Sequence, residues 1–205
     1  PFLDPSYDAL FSQSTEPSKE ILFYIPFSAS DKNRLAEYNY PYSLGGRHEN
    51  APSPALTVIP VNDKRKPMVA AYHSDKYYSA KYSDLSTGSD RVIVLRTAEM
   101  YFIRAEANYQ LDSVANLPFI ISDINLIRNR AGLPAVNADS LKALRNIIEH
   151  EKQIEFAFEG KRWFDLIRNN RALDLVPSVT QPFQMLFPIP LSEILANPQI
   201  ETSDQ

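Results

Sequence analysis

Two pairs of glutamates are spaced so that they could do chemistry on a sugar bond. The candidate pairs are Glu99 with Glu106 and Glu151 with Glu155. In glycoside hydrolases one such carboxyl acts as the acid and the other as the nucleophile or base. Each candidate here has an arginine or lysine within about one helical turn, where opposite charges neutralise each other. The sequence therefore favours structural ion pairs, and we predict that the chain has no catalytic residues and is not an enzyme.

The residue types present do not favour a metal site or a catalytic nucleophile. The three histidines are far apart in the sequence, and the string His150-Glu151 lacks the second histidine of a zinc-protease helix. The absence of cysteine excludes thiolate catalysis, disulfides and Cys-ligated zinc. The sequence also has neither a glycine-rich phosphate loop nor a Gly-x-Ser-x-Gly elbow. We predict neither a metal site nor a cofactor.

Binding chemistry is concentrated in the stretch from Glu37 to Asn50, which is too polar and too interrupted by proline to be core. Aromatic rings offer flat apolar faces to the C–H surfaces of sugars, and neighbouring polar groups can reach the hydroxyls. The candidate ligand-binding residues are Tyr38, Tyr40, Tyr42, Arg47, His48 and Glu49. Tyr77 and Tyr78 form a secondary candidate. Two alternatives stay open: these tyrosines could cover the helical half of the chain, or the loop could face a protein partner.

A charged block surrounds Trp163, the single tryptophan of the chain. Its acidic and basic residues recur three and four apart, the spacing at which side chains pair on helices. These residues are Glu155, Glu159, Arg162, Asp165 and Arg168. We interpret the block as a structural ion network. An indole can also serve as a sugar platform, but the position between Gly160 and an apolar helix favours packing for Trp163.

The elements that position these residues change character near residue 96. Proline recurs from Pro1 to Pro67 and interrupts any long helical period, which predicts loops and short strands. The clearest predicted strand runs from Glu20 to Phe27, and Val92 to Leu95 is a shorter one. From Thr97 onward the apolar period is about 3.6 residues, which predicts helices.

Four helices and a final turn are predicted in this second half. Thr97 is the expected N-cap of a helix through Leu111, with Met100, Ile103 and Ala107 on its apolar stripe. A second helix is predicted from Ser122-Asp123; it buries Ile124, Ile127 and Ala131 and ends at Gly132. A third helix is predicted from Asp139-Ser140 to Phe158, and its apolar side consists of Leu141, Leu144, Ile147, Ile148, Ile154 and Phe158. A fourth helix is predicted from Lys161 to Asn170, followed by one turn from Ser192 to Ala196 in a proline-rich tail that continues through Pro198.

Charge and hydropathy exclude two classes of partner. The formal net charge is −4, with acidic and basic residues interspersed, so no positive field collects phosphate backbones and nucleic acid is not expected as a partner. No apolar run approaches the roughly 18 to 20 residues of a spanning helix. The segment Pro1 to Pro5 does not resemble a signal peptide. We expect any targeting segment to have been removed or to lie upstream in a longer parent chain.

Four blocks of this sequence, in order and at similar spacing, resemble the SusD/RagB family of surface glycan-binding outer-membrane lipoproteins. The blocks are Leu95 to Ala107, Ile124 to Leu133, Glu151 to Glu155 with Phe158 to Arg168, and Phe187 to Pro190 with Asn197-Pro198. Looser similarity extends to Ile21 to Phe27, Asp63-Lys64-Arg65 and Lys81-Tyr82.

The resemblance implies a mainly α fold of the SusD type. We expect an α-superhelix, with a TPR-like helix pair and further helices, and a loop-rich region that contains short β-strands. The expected parts are residues 1–96 (loop-rich, with short strands) and 97–205 (helical), together one domain. Family members are roughly twice this long, so we expect the chain to be the C-terminal portion of a longer protein.

The resemblance also implies a function. It implies non-catalytic binding of an oligosaccharide or polysaccharide at the bacterial outer-membrane surface, for nutrient uptake. The full-length protein would be held at the cell surface by a lipid anchor and would deliver the glycan to a SusC-like TonB-dependent transporter. The alternative is a protein–protein interaction module that docks the transporter, with sugar binding in the absent N-terminal part.

Overall fold

A computed structural model of the protein describes residues 2–197 and residue 199. Pro198, part of the last predicted block, and Pro1 lie outside the described residues, as do positions 200–205. Helices make up 44% and strands 9% of the structure, which confirms the predicted mainly α class. Within the described part, no helix is both long and apolar enough to cross a membrane. Two compact units are present, Pro1–Glu159 and Gly160–Gln205.

The first unit begins with short elements and ends with long helices. In chain order these are a 3-10 helix (Asp8–Phe11), β1 (Ile21–Ile25), α1 (Leu35–Asn39), a 3-10 helix (Tyr42–Leu44), α2 (Pro54–Thr57), α3 (Lys66–Val69), β2 (Ala71–His73), β3 (Lys76–Tyr78), β4 (Val92–Arg96), α4 (Thr97–Asp112), α5 (Leu117–Arg130) and α6 (Leu141–Glu155). The second unit contains α7 (Arg162–Arg168), α8 (Ala172–Leu175), a 3-10 helix (Pro182–Met185) and α9 (Leu191–Ala196).

Both predicted strands are confirmed as β1 and β4, which pair antiparallel with Ile21 opposite Arg96 and Ile25 opposite Val92. Strands β2 and β3 form a separate hairpin that the sequence did not predict. Its two turn residues, Ser74 and Asp75, both have left-handed backbones, with φ of 47° and 62°. This is the backbone handedness that matches the twist of a two-residue hairpin.

Helix α4 has the predicted extent but not the predicted buried face. The stripe of Met100, Ile103, Ala107 and Leu111 is wrong, because Ile103 is 51% and Leu111 80% exposed. The residues buried instead are Ala98, Tyr101, Phe102 and Ala105. Apolar residues lie on two sides of this helix, so the same period fits two stripes. The stripe with Tyr101 and Phe102 is the one that packs into the core.

The expected N-cap of α4 is also wrong. Thr97 is the first helical residue, and the cap position belongs to Arg96. The backbone N–H and the side-chain hydroxyl of Thr97 both donate to the carbonyl oxygen of Glu20, at 2.9 and 3.3 Å. The strand pairing of β1 with β4 therefore continues into the first turn of the helix, where a capping side chain would otherwise be required.

Helix α5 begins at Leu117, before the predicted start at Ser122, and its N-terminal turn contains a proline. Proline is well tolerated there because the first N–H groups have no intrahelical partner. The burial of Ile124, Ile127 and Ala131 is confirmed. Gly132 ends the helix as predicted, with φ of 74°, and the next N–H closes the turn onto the Arg128 carbonyl.

Helix α6 begins where it was predicted, because the Ser140 hydroxyl accepts the N–H of Ala143 at 3.2 Å. It ends at Glu155, earlier than the predicted Phe158, which has a left-handed φ of 63°. The predicted burial of Leu144, Ile148 and Ile154 is confirmed. Ile147 and Phe158 are only partly buried. The predicted burial of Leu141 is wrong, because this residue is 48% exposed. A side chain in the first turn of a helix has packing neighbours on one side only.

Two hydrophobic cores hold the first unit together. One joins α4, α5 and α6 through residues such as Phe102, Ile124 and Leu144. The other surrounds Tyr7 and includes Ile93 of β4. Arg96 lies beside both cores, with its guanidinium 5.9 Å from the centre of the Tyr7 ring and 4.4 Å from that of Phe156.

In the second unit, α7 confirms the predicted helix from Lys161 to Asn170, and α9 confirms the predicted turn from Ser192 to Ala196. Trp163 is partly buried on α7. Several large apolar side chains of this unit are mostly exposed. They include Leu186, Phe187, Leu191 and Leu195, which are 75%, 82%, 68% and 74% exposed.

Candidate functional site

The predicted binding loop folds back on itself. The N–H of Arg47 donates to the Glu37 carbonyl at 2.6 Å, and the N–H of His48 donates to the Tyr40 carbonyl at 2.9 Å. A third bond joins the N–H of Asn50 to the Tyr38 carbonyl. These bonds place 47–50 alongside the end of α1. The six candidate residues therefore lie on two adjacent chain segments and the short 3-10 helix between them.

Gly46 makes this fold of the loop possible. A Cβ atom at this position would lie 2.1 Å from the carbonyl oxygen of Tyr40, a distance that no side chain tolerates. The close approach of the two segments therefore depends on the missing side chain rather than on a special φ angle.

Arg47 and Glu49 form an ion pair at the surface, and each side chain is 45% exposed. The guanidinium of Arg47 also lies 5.5 Å from the centre of the Tyr38 ring. Glu37 accepts two hydrogen bonds from Arg34, which lowers the pKa of its carboxyl. The charged groups of the loop thus neutralise one another in pairs.

Tyr40 has a different environment from the other tyrosines of the loop. Its ring is partly buried and lies 4.8 Å from that of Tyr78, at a tilt of 58°. Burial, with a smaller contribution from Tyr78, raises the pKa of Tyr40. These two candidate residues pack against each other and attach the loop to β3.

Three other tyrosines expose their rings. Tyr42 is 78%, Tyr72 59% and Tyr77 37% exposed. Tyr72 and Tyr77 are cross-strand partners in the β2–β3 hairpin, with ring centres 4.7 Å apart. The Tyr72 hydroxyl donates to Asp75 at 3.0 Å, and this bond raises the pKa of the phenol. We call the exposed pair of Tyr72 and Tyr77 the aromatic surface.

The loop and the hairpin are joined by His48. Its Nε2 lies 2.9 Å from the carbonyl oxygen of Tyr77, within hydrogen-bond distance. The structure thus brings the predicted His48 next to the secondary candidate Tyr77, and it adds Tyr72, which the sequence reasoning missed. The available signal was the order Tyr-His-Ser-Asp-Lys-Tyr, in which two tyrosines flank a two-residue turn symmetrically.

A second group of charged residues is buried inside the first unit. Five acidic and four basic side chains pair with one another in it, as burial of charge requires. The members are Glu20, Asp63, Arg65, Lys81, Arg96, Arg130, Glu151, Glu155 and Glu159, which we call the buried ion cluster. Each of these side chains is at most 3% exposed.

Glu155 is the acid with the most basic neighbours. Its carboxylate lies 2.5 Å from Arg96 Nη1 and 3.4 Å from Arg65 Nη1, and it also accepts a bond from Arg130. Burial alone would raise the pKa of Glu155, but the three guanidinium groups outweigh burial and hold it well below the ordinary value. This carboxyl is therefore ionised, and both of its oxygens are engaged by guanidinium groups.

Glu159 is held in the same way by Arg96 Nε at 2.9 Å and by Lys81 Nζ at 2.6 Å. Burial lowers the pKa of Lys81 to about 8, although Glu159 opposes that effect. The structural network predicted for Glu155 and Glu159 is confirmed. Its partners, however, come mainly from the loop-rich half and from α5. On α7 the predicted pair of Asp165 and Arg168 is present but partly exposed.

The candidate catalytic carboxylates Glu106, Glu151 and Glu155 are engaged in ion pairs. Glu151 contacts Arg65 Nη1 at 2.9 Å and accepts a bond from Arg128. Glu106 accepts a bond from Lys152 Nζ at 2.9 Å. Among the described residues, no three of His, Cys, Asp or Glu are grouped to hold a metal ion.

Comparisons with known proteins agree with this architecture. A model of the SusD family matches residues 63–204. SusD-like protein P38 of Formosa agariphila is 29% identical over 137 residues, which cover 62% of this chain and 26% of that protein. SusD-like protein P25 of the same organism is 34% identical over 131 residues, or 57% of this chain and 24% of that protein.

Solved structures share the fold. A SusD superfamily protein of Bacteroides vulgatus has a TM-score of 0.79 at 19% identity, covering 96% of this chain and 53% of that one. Surface glycan-binding protein A of Bacteroides thetaiotaomicron, in complex with laminarihexaose, has a TM-score of 0.73 at 20% identity, covering 95% and 54%. The chain spans about a quarter of the length of the curated relatives it matches. Because the family model covers more than half of these residues, the chain belongs to the SusD family.

Proposed function

We propose that this chain is part of a non-catalytic protein that binds oligosaccharide at the bacterial outer-membrane surface. In full length the protein is lipid-anchored and delivers the glycan to a SusC-like TonB-dependent transporter. The observation that carries the binding proposal is the exposed cross-strand pair of Tyr72 and Tyr77. Large aromatic rings are normally buried, so two that stay open on a short hairpin indicate a binding surface.

The surroundings of the aromatic surface suit a sugar. Stacking requires rings that are held in place before the ligand arrives, because ordering a side chain on binding costs free energy. Tyr72 is held by Asp75 and by its partner ring, and the hairpin is held by His48 and by the packing of Tyr40 on Tyr78. Arg47, Glu49 and the phenol hydroxyls supply donors and acceptors for sugar hydroxyls.

Two further observations support the proposal. A structural relative is a surface glycan-binding protein in complex with laminarihexaose, a neutral oligosaccharide, and the arginines and glutamates of the binding loop are joined in ion pairs. Glu151 and Glu155, the most closely spaced candidate acids, are neutralised by arginines in the interior. A carboxylate in that state is a poor acid or nucleophile, which favours binding without bond cleavage.

A second candidate function is docking of the transporter by this chain, with sugar binding elsewhere in the protein. The observation that favours it is the set of exposed apolar side chains between residues 183 and 195 of the second unit. Several exposed large apolar side chains in one short segment are typical of protein–protein interfaces.

Calorimetry with the 205-residue chain and soluble oligosaccharides, beginning with laminarihexaose, tests the first proposal. We expect binding in the micromolar to millimolar range and no release of reducing ends. Replacing Tyr72 and Tyr77 together by alanine should remove binding at the aromatic surface and so reduce the measured heat, whereas the matched Tyr→Phe pair, which keeps both rings, should retain most of the affinity. Equal binding by the alanine and phenylalanine variants would exclude the aromatic surface, and hydrolysis of any sugar would exclude the non-catalytic function.

The docking candidate is separated by a second measurement on the same variants. Under that alternative the chain binds no sugar, and its affinity for a SusC-like transporter in detergent falls when Phe187 and Leu191 are replaced by serine. The Tyr72 and Tyr77 variants should leave that affinity unchanged.

A further inference from the structure

A cleft lies on the pair formed by α4 and α5, and the proposed function does not use it. Its volume is about 370 Å³, within the range of small-molecule sites. The lining residues are Arg104, Asn108, Asn116, Phe119, Ser122 and Asp123. Five of the six are polar, and the remaining one is aromatic.

Arg104 is a donor group that is already positioned. Its Nε donates to Asp123 Oδ2 at 2.9 Å and its Nη2 to Oδ1 at 2.5 Å, while the guanidinium lies 5.4 Å from the centre of the Tyr101 ring. The Asp123 side chain is 3% exposed, but that of Arg104 is 59% exposed. Asp123 raises the pKa of Arg104, so the group stays charged. Nη1 makes no hydrogen bond to any described residue, so its two N–H groups remain available to a ligand.

The other polar groups of the cleft are also available. The amide of Asn108 and the hydroxyl of Ser122 make no side-chain hydrogen bonds to the described residues, and Asn116 makes one long bond of 3.4 Å to the Asn108 carbonyl. Together with Arg104 they present donors and acceptors on both helices. Such groups exchange their bonds with water for bonds to a polar ligand at little cost.

Phe119 places an apolar ring beside these groups and is 64% exposed. A phenylalanine ring in water lacks the stabilisation that burial normally gives it. The face of this ring and the adjoining hydroxyl-binding groups are the two parts of a site for a pyranose: one contacts the C–H face, and the other reaches the hydroxyls.

The charge of the cleft narrows the ligand class further. Arg104 and Asp123 are the charged residues that line it, and they neutralise each other. An acidic sugar would gain little from a guanidinium already paired with a buried carboxylate. A neutral sugar can bond to Nη1 without a charge left unpaired.

We propose that this cleft is a second binding site for a neutral sugar unit, separate from the aromatic surface. The inference rests on the proposed function for its ligand class only. Two weak sites on one chain would bind a long glycan more tightly than either alone, because the second contact becomes intramolecular.

Amide-resolved NMR titration of the 205-residue chain with laminarihexaose, and in parallel with maltohexaose, tests the site. We expect shifts of the amides of Asn108, Asn116 and Phe119 that persist when Tyr72 and Tyr77 are replaced by alanine. Phe119→Ala should weaken binding at the cleft about tenfold, equivalent to about 1.4 kcal/mol. The matched control is Leu111→Ala, which removes an 80% exposed side chain of α4 outside the cleft. Asn108→Ala provides a second variant that leaves the apolar surface unchanged.

The outcomes separate the two proposals. Shifts at the aromatic surface without shifts on α4 and α5 overturn the second site and leave the proposed function standing. Shifts on α4 and α5 alone support the second site and overturn the placement at the aromatic surface. Shifts at neither place with both sugars overturn both. Binding of hexagalacturonate at the cleft, with neither neutral sugar bound there, overturns the inferred ligand class.

Discussion

Arg96 and Glu155 form an ion pair in the interior of the first unit, with Nη1 and Oε1 2.5 Å apart and side chains 1% and 0% exposed. Arg96 also donates to the backbone carbonyl of Glu155 at 2.8 Å, and its guanidinium lies 4.4 Å from the centre of the Phe156 ring. Neither charge can be hydrated where it lies. Each therefore depends on the other, and on their shared neighbours, for its stability.

Replacing Arg96 by methionine should lower the free energy of unfolding by about 3 to 5 kcal/mol, because buried carboxylates lose a charged partner. Urea denaturation followed by circular dichroism measures the change. The matched control is Arg34→Ala, which breaks an exposed pair with Glu37 and should leave the midpoint nearly unchanged. Similar midpoints for the two variants would show that the buried ion cluster does not contribute as proposed.

Stability should fall in acid because of Glu155 and Glu159, whose pKa values are lowered in the folded protein from the ordinary value of 4.5. Below pH 4.5 the unfolded chain takes up protons at these sites and the folded chain does not. The contribution of these two carboxyls to the free energy of unfolding is therefore fully present above that pH, and it decreases as the pH falls toward the folded pKa values. Urea midpoints between pH 7 and pH 3 test this.

A variant checks the assignment of that acid sensitivity. Glu155→Gln cannot take up the proton, so its stability should depend less steeply on pH below 4.5, even if it is lower throughout. If the dependence of stability on pH were as steep in this variant as in the unmodified chain, the loss of stability in acid would be due to other carboxyl groups.

Gly46→Ala should disrupt the binding loop, because the new Cβ would lie 2.1 Å from the Tyr40 carbonyl oxygen. We expect a loss of about 1 to 3 kcal/mol in stability, as for other overpacked sites, and weaker glycan binding. Gly45→Asn is the comparison: the φ of Gly45 is 90°, which asparagine tolerates better than most residues, and the nearest atom to its Cβ is 3.9 Å away. Calorimetry and thermal melts of both variants provide the measurement.

Tyr40 and Tyr42 should respond differently to alanine, although they are two residues apart. Tyr42→Ala removes a ring that is 78% exposed; we expect a stability change within about 0.5 kcal/mol and weaker sugar binding. Tyr40→Ala removes the packing on Tyr78 and should lower stability by about 1 to 3 kcal/mol. If Tyr42→Ala bound sugar as well as the unmodified chain, this tyrosine would lie outside the site.

The helical half could be predicted from periodicity because its long helices have local signals. Ser140 begins α6 and Gly132 ends α5, as their types require. The stripe buried on α4 could not be chosen in the same way, since Met100 and Ile103 fit the period as well as Tyr101 and Phe102 do. Which side is buried depends on neighbouring helices, and a local pattern contains no information about them.

The candidate site was only partly accessible from the sequence. The loop tyrosines and His48 stand out by composition, but Tyr72 becomes relevant only through its pairing with Tyr77 across the hairpin. The buried ion cluster shows the same limit. Arg96 and Glu155 are 59 residues apart in the sequence, and their contact arises from the packing of β4 against the end of α6.

The members of the buried ion cluster come from the residue before β1, the loop at Asp63-Lys64-Arg65, the loop after β3, β4, α5, and α6 with the residues that follow it. A partly assembled chain that lacks any one of these segments would leave a charge stranded in an apolar environment, so such intermediates are strongly penalised. Residues 2–159 should therefore melt in a single all-or-none transition, with equal calorimetric and van't Hoff enthalpies. Charge pairing in this molecule makes folding cooperative across segments that are distant along the chain.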